Sequence, residues 1–223
     1  MLETYRTILE YGTHEIIEKK SRFIASFFPV KTEEEAREYI DMVKKEHRTA
    51  NHNVFAYRIG ERDELQRMSD DGEPQGTAGM PMLSVLQGLE LKNVLVVVTR
   101  YFGGTLLGTG GLVRAYGGAV KEGLEALGFV TLQRYQKYML HIAYSDHGKV
   151  QYELLQKNHT IYDTIYGEGV ELVVYVRSAE VESFEKLMID LFRGEAVFSK
   201  EEWVYAYEDE TVALQLVEEG SVL

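Results

Sequence analysis

The chain has 223 residues, 45% of them hydrophobic and 27% charged, with no cysteine and a formal net charge of −12. That composition belongs to an ordinary globular chain long enough for one large domain or two small ones, and the lack of cysteine excludes disulfides, thiolate nucleophiles and cysteine-ligated zinc. No apolar run approaches the ~20 residues that span a bilayer, and the first residues lack the basic start, apolar centre and cleavage site of a signal peptide, so a cytoplasmic location and no membrane partner are expected.

Two strand-like runs open the chain, at residues 14–19 and 22–28, with Lys20-Ser21 as the turn between them and Pro29 as the stop. Thr32 starts a helix: Glu33, Glu34 and Glu35 put negative charge in its first turn, and Glu35 completes a capping box. Ala36, Tyr39, Ile40 and Val43 form its apolar face. Asn51-His52-Asn53 breaks the helix; residues 54–59 then read as a strand and residues 60–67 as a charged loop. Asp70-Asp71-Gly72 is a turn by composition, and Glu73-Pro74 keeps the chain extended. Residues 77–89 read as a helix capped by Thr77, with Pro81 near its first turn. Residues 94–99, VLVVVT, lack alternation, which predicts a strand covered on both faces.

Residues 72–128 hold 13 of the chain's 20 glycines, so this stretch is expected to constrain its backbone in ways side chains would obstruct. The helical pattern over 105–127 carries an apolar stripe of Val113, Tyr116, Val120, Leu124 and Leu127. A second stripe, Gly104, Gly108, Gly111, Ala115 and Gly118, predicts close approach of a sheet, helix or ligand, since an interior glycine costs about 1 kcal/mol against alanine.

The second half reads as strands at 137–144, 159–166, 169–177 and 195–205 and helices at 146–156 and 179–192. That order is βαββαβ, the ferredoxin-like split motif. Gln133-Arg134-Tyr135-Gln136 interrupts the apolar pattern and marks the boundary. The expected division is an N-terminal domain at 1–134, a ferredoxin-like domain at 135–208 and an acidic, fraying tail at 209–223. Residues 1–134 carry 17 Lys and Arg against 19 Asp and Glu, a balance of −2; residues 135–223 carry 7 against 17, or −10. Any RNA is therefore expected on the first half, although no long basic tract supports tight non-specific binding.

Several residues invite chemistry. The loop Gly103-Gly104-Thr105-Leu106-Leu107-Gly108-Thr109-Gly110 follows a strand and opens a helix, a context that suits an anion at a helix N-terminus. It lacks the lysine of a P-loop and the third glycine of a dinucleotide fingerprint, so tight packing competes with anion binding. Arg100 and Arg114 flank it as candidate phosphate contacts, and Tyr101 and Phe102 are candidates for base stacking. Asp70, Asp71 and Glu73 suit either a divalent cation or a solvated turn; their spacing is not that of an EF-hand. His52 reads as a hydrogen-bonded structural histidine or as a general base awaiting a partner. No nucleophile-elbow context exists for a serine, and neither a cofactor nor a metal is expected.

Asp70-Asp71-Gly72-Glu73-Pro74, Gly76-Thr77-Ala78-Gly79, the run from Val97 to Gly104 and the run from Leu107 to Gly118 together resemble the YigZ/IMPACT family, in its bacterial two-domain form. Asn51-His52-Asn53 and Ala56-Tyr57-Arg58-Ile59 match as well. The resemblance implies an α+β chain whose first domain has the fold of domain IV of elongation factor G, shared with a small-subunit ribosomal protein. It implies a ferredoxin-like second domain similar to domain V of that factor. It carries no reaction and no catalytic set. It draws attention to His52, Asp70, Asp71, Glu73, Arg100, Gly103, Gly104, Gly108 and Arg114 as binding candidates. Because eukaryotic relatives regulate translation through protein contacts, it implies a translation-associated binding protein that meets RNA, the ribosome or a translation factor through its N-terminal domain. An enzyme acting on an anionic small molecule and a protein-interaction module are the alternatives.

Overall fold

The computed structural model describes residues 2–62, 64–195, 197–208 and 213–217. The chain divides into two compact units, residues 1–131 and 132–221. Among the described residues no helix is long and apolar enough to cross a membrane.

The first unit opens with a short strand, β1 (Thr4–Thr7), then β2 (Gly12–Glu18), β3 (Ser21–Pro29), α1 (Glu33–Glu46), β4 (His52–Ile59), β5 (Leu65–Ser69), α2 (Gly79–Gly88), β6 (Val94–Tyr101) and α3 (Thr109–Leu127). Five of these strands form an antiparallel sheet in the order β2-β3-β6-β4-β5. The unbroken apolar run of β6 is explained by its central position between two cores. Val94, Val96 and Val98 face one way and join Phe23, Phe27, Ala56, Met82 and Tyr116 beneath α2 and α3. Leu95 and Val97 face the other way and join Ile40, Val43, Tyr57 and Ile59 beneath α1. Each fully buried side chain of this kind contributes roughly 1.5–3 kcal/mol. The α1 capping box forms as its sequence predicts, with Thr32 and Glu35 each holding the other's backbone.

Local chemistry redraws several boundaries. The first hairpin turns at Lys19-Lys20, because Glu18 pairs with Ser21. Residues 65–69, read as part of a loop and its continuation, form the edge strand β5 against β4. Thr77 does not cap α2: its hydroxyl donates to the Pro74 carbonyl at 2.6 Å, and the helix begins at Gly79. At the other end of α2, the buried Arg58 guanidinium donates to the carbonyls of Leu86 and Leu91 at 3.0 and 2.9 Å, a cation where the helix dipole favours one.

The second unit contains β7 (Val130–Ile142), α4 (Tyr144–Gln156), β8 (Ile161–Tyr166), β9 (Val170–Arg177), a 3-10 turn, α5 (Val181–Leu191), β10 (Phe198–Glu208) and β11 (Leu214–Val217). The order βαββαβ and the antiparallel arrangement β10-β7-β9-β8 are those of a ferredoxin-like unit. Tyr138, Leu140, Leu172, Val174, Phe184 and Met188 lie in the core between sheet and helices. Gln133-Arg134-Tyr135-Gln136 lies inside β7, with Tyr135 and Gln136 both buried. Within the expected tail, residues 214–217 pair with β10 as β11; residues 209–212 and 218–223 lie outside the described residues.

Candidate functional site

The acidic turn is held by its own backbone. The Asp70 carboxylate accepts three amides, from Gly76 at 2.7 Å, Ala78 at 3.1 Å and Gly79 at 2.8 Å. It thereby does for the start of α2 what a capping residue does, from eight residues upstream of the N-cap Ala78. The Asp71 carboxylate accepts the Asn53 amide at 2.7 Å and meets the Lys44 ammonium at 3.2 Å. Its carbonyl accepts from His52 Nδ1 at 2.8 Å. A carbonyl can only accept, so Nδ1 carries the proton and Nε2 is turned toward Glu73, 3.9 Å away. The flanking asparagines are equally occupied: Asn51 Oδ1 accepts the Phe102 amide at 2.8 Å, and Asn53 Oδ1 accepts the Thr99 hydroxyl at 2.7 Å.

Glu73 and Arg100 form a polar knot under the end of the sheet. Glu73 is 8% exposed and Arg100 6%; Arg100 Nη1 donates to Glu73 Oε1 at 2.5 Å. The same oxygen accepts the Tyr116 hydroxyl at 2.8 Å. Burial, with the neighbouring Glu73 charge second, pushes the Tyr116 phenol well above its ordinary value. Arg100 also lies over the rings of Phe23 and Phe102, at 5.4 and 5.7 Å, while its Nε is buried with no hydrogen-bond partner. Buried charges of both signs are costly alone and tolerable as a pair. The structure thus brings His52, Asp71, Glu73 and Arg100 together, and Arg100 spends its charge inward. Tyr116, anticipated only as part of an apolar stripe, supplies the third member; its position on the helix shows the stripe but not its hydroxyl's partner. Among the described residues no cluster of three or more His, Asp or Glu side chains is arranged to hold a metal ion.

The glycine-rich loop lies outside this knot. Gly104 and Gly108 have φ of 81° and 75°, the left-handed region that glycine enters without penalty. Gly103 permits a close approach: a Cβ there would stand 2.0 Å from the Lys20 carbonyl carbon. The glycine that lets α3 sit on the sheet is Gly123, where a Cβ would stand 2.5 Å from the Phe27 ring, whereas a Cβ at Gly118 would meet only ordinary contacts. The small-residue stripe therefore does not mark the close approach: a Cβ at Gly104 or Gly108 would meet nothing within 4 Å, and one at Gly111 only the Leu107 side chain. Helix α3 begins at Thr109 with no side-chain cap. Arg114 is exposed and makes no ion pair or hydrogen bond among the described residues. It lines a cleft of ≈ 150 Å³ with Lys19, Glu18, Glu122, Leu107 and Ile16. Phe102 and Leu106 are also exposed on the loop, while Tyr101 is half-buried and hydrogen-bonded to His47 Nδ1 at 3.0 Å.

Comparison with known proteins follows the division into two units. Residues 19–124 match the Impact N-terminal domain, and residues 140–195 match a domain of unknown function, DUF1949. The IMPACT family member YvyE of Bacillus subtilis is 45% identical over 207 residues, covering 92% of this chain and 94% of its own. YigZ of Escherichia coli is 39% identical over 178 residues, covering 79% of this chain and 87% of its own. The human protein IMPACT is 38% identical over 98 residues, 42% of this chain and 30% of that protein. A crystal structure of a hypothetical protein superposes with a TM-score of 0.58 at 34% identity, covering 91% of this chain and 99% of its own. With similarity of this extent across both units, the chain belongs to the IMPACT family.

Proposed function

We propose that this protein is a translation-associated regulatory factor whose N-terminal unit binds a phosphate-bearing partner, RNA alone or within the ribosome, along residues 102–114. The observation that carries the reading is Arg114: of the two arginines flanking the glycine-rich loop, it alone keeps its guanidinium without an ion pair or hydrogen bond among the described residues, in a cleft that Lys19, Glu18 and Glu122 also line. Three features support it. The first turn of α3 has no side-chain cap on its amides, which favours an anion there. Phe102 is 44% exposed, a flat surface on which a base can stack. The family resemblance ties eukaryotic relatives to translational control. Arg100 has a different part in this reading: paired with Glu73, it anchors the base of the loop rather than touching phosphate.

The test is cosedimentation with ribosomes and binding to structured RNA at low salt. Arg114→Ala is expected to weaken binding across RNA sequences and to lower the salt slope by about one. A wild-type chain that neither cosediments nor binds structured RNA sinks the reading. In that case a thermal shift with nucleotides or sugar phosphates, lost in Arg114→Ala, would assign the cleft to a small anion instead.

A further inference from the structure

The sheet of the second unit ends at β11 on one side and at β8 on the other. β8 pairs with β9, and no described strand pairs with its other side. Exposed edges in soluble proteins are usually blunted by lysine, proline or a covering element. The six residues IYDTIY contain neither lysine nor proline, although the register against β9 shifts between Ile161 and Asp163, which leaves residues 163–166 as the regular part of the edge. Their single charge, Asp163, accepts the Thr164 amide at 2.7 Å, so a side chain occupies a donor that a neighbouring strand's carbonyl would otherwise take.

Both faces beside this edge carry exposed apolar side chains. On one, Tyr166 and Tyr144 are 63% and 55% exposed. Their rings stack at 6.4 Å, and the His147 ring meets Tyr166 edge-on at 6.0 Å. The Tyr144 hydroxyl donates to the Gly167 carbonyl at 3.0 Å, which fixes the pair to the end of the strand. On the other, Ile165 and Tyr162 are exposed, and Tyr162 is propped edge-on against Tyr175 at 5.0 Å. An added strand would lay alternate side chains on these two shelves, because strand side chains alternate with a period of two.

The surrounding charge selects the occupant. Residues 144–171 contain Asp146, Glu153, Asp163, Glu168 and Glu171 against Lys149 and Lys157. The ammonium of Lys149 is engaged by the Leu191 carbonyl at 3.3 Å. An acidic margin repels RNA, and it opposes edge-to-edge pairing of two copies, which would bring Asp163 and Glu168 toward their own likenesses. We propose that β8 is a docking edge for an extended, basic segment of a partner protein, added as a further strand. The backbone ladder supplies affinity. Lysine or arginine side chains of that segment meet Asp163 and Glu168 and lie over the Tyr144 and Tyr166 rings.

The probe is a hexapeptide alternating lysine with valine, titrated into the isotope-labelled full chain and followed by amide chemical shifts. Two controls run beside it: the same peptide with glutamate for lysine, and the lysine peptide with alternate amides N-methylated, which keeps the charge but cannot build a ladder. Shifts confined to residues 161–166 and neighbouring amides, and at least tenfold weaker binding of both controls, are expected. Asp163→Lys, which reverses the one charge on the strand, should weaken the response about tenfold. Equal binding of either control, shifts elsewhere, or no binding overturns the proposal. A concentration-dependent dimer that disappears in Asp163→Lys would assign the edge to self-pairing and overturn it as well.

Discussion

Arg100 and Arg114 stand at the two ends of one glycine-rich loop and have opposite surroundings. Arg100 closes β6, lies between aromatic rings and binds a buried carboxylate. Arg114 sits on the exposed side of α3 with no partner among the described residues. The first charge is part of the interior and holds the loop's base to the acidic turn; the second is available to something outside. The difference teaches that in this motif the number of basic residues says nothing about binding capacity. What decides is whether a carboxylate from elsewhere in the chain has already claimed the charge.

The sharpest way to test that contrast is to remove the claimant. Glu73→Ala leaves Arg100 buried without its counter-ion and is expected to cost about 3–5 kcal/mol, read as a lowered midpoint in urea unfolding. Tyr116→Phe removes a hydrogen bond to the same carboxylate and should cost about 1.5–3 kcal/mol. It carries a pH signature too. The folded phenol titrates above the unfolded one, so its contribution is fully present below the unfolded pKa of about 10 and is lost as pH rises beyond it. Urea midpoints measured from pH 9 to pH 11 should fall less steeply for Tyr116→Phe than for the parent chain; identical slopes would show that the phenol is not held neutral by the fold.

Two glycines on α3 separate packing from exposure. Gly123→Ala drives a methyl into the Phe27 ring and should destabilise by about 1–3 kcal/mol. Gly118→Ala meets ordinary contacts only and should be neutral or stabilising by up to about 1 kcal/mol, through helix propensity. The smallest effect belongs to Arg114→Ala, within about 0.5 kcal/mol of the parent. A large loss there would mean that the side chain is structural and would remove the observation on which the proposed function rests.

The parts of the fold that were legible in the sequence are those written in local pattern. The unbroken β6 run, the Thr32 capping box and the βαββαβ order of the second unit each depend on residues a few positions apart. What escaped depends on distance or on loop conformation. Glu73 meets Arg100 across 27 positions of sequence. Asp70 gathers amides six, eight and nine residues ahead only because Gly72 and Gly76 take positive φ between them. β5 escaped because LQRMS alternates poorly and lies at an edge, where one neighbour suffices. His52 read as either a base or a structural residue, and its Nδ1 bond to a main-chain carbonyl shows how it is oriented.

The first hairpin has one further consequence. Its turn places Lys19 and Lys20 at φ of 45° and 70°, a conformation for which asparagine followed by glycine is the comfortable pair. Two like charges sit side by side at that turn, and Gly103 presses against the Lys20 carbonyl. Of the two, Lys19 lines the Arg114 cleft, together with Glu18 and Glu122. An Asn-Gly pair in place of Lys19-Lys20 would relax the turn and take the Lys19 charge out of the cleft, so the hairpin's stability and the cleft's charge are set by the same two residues.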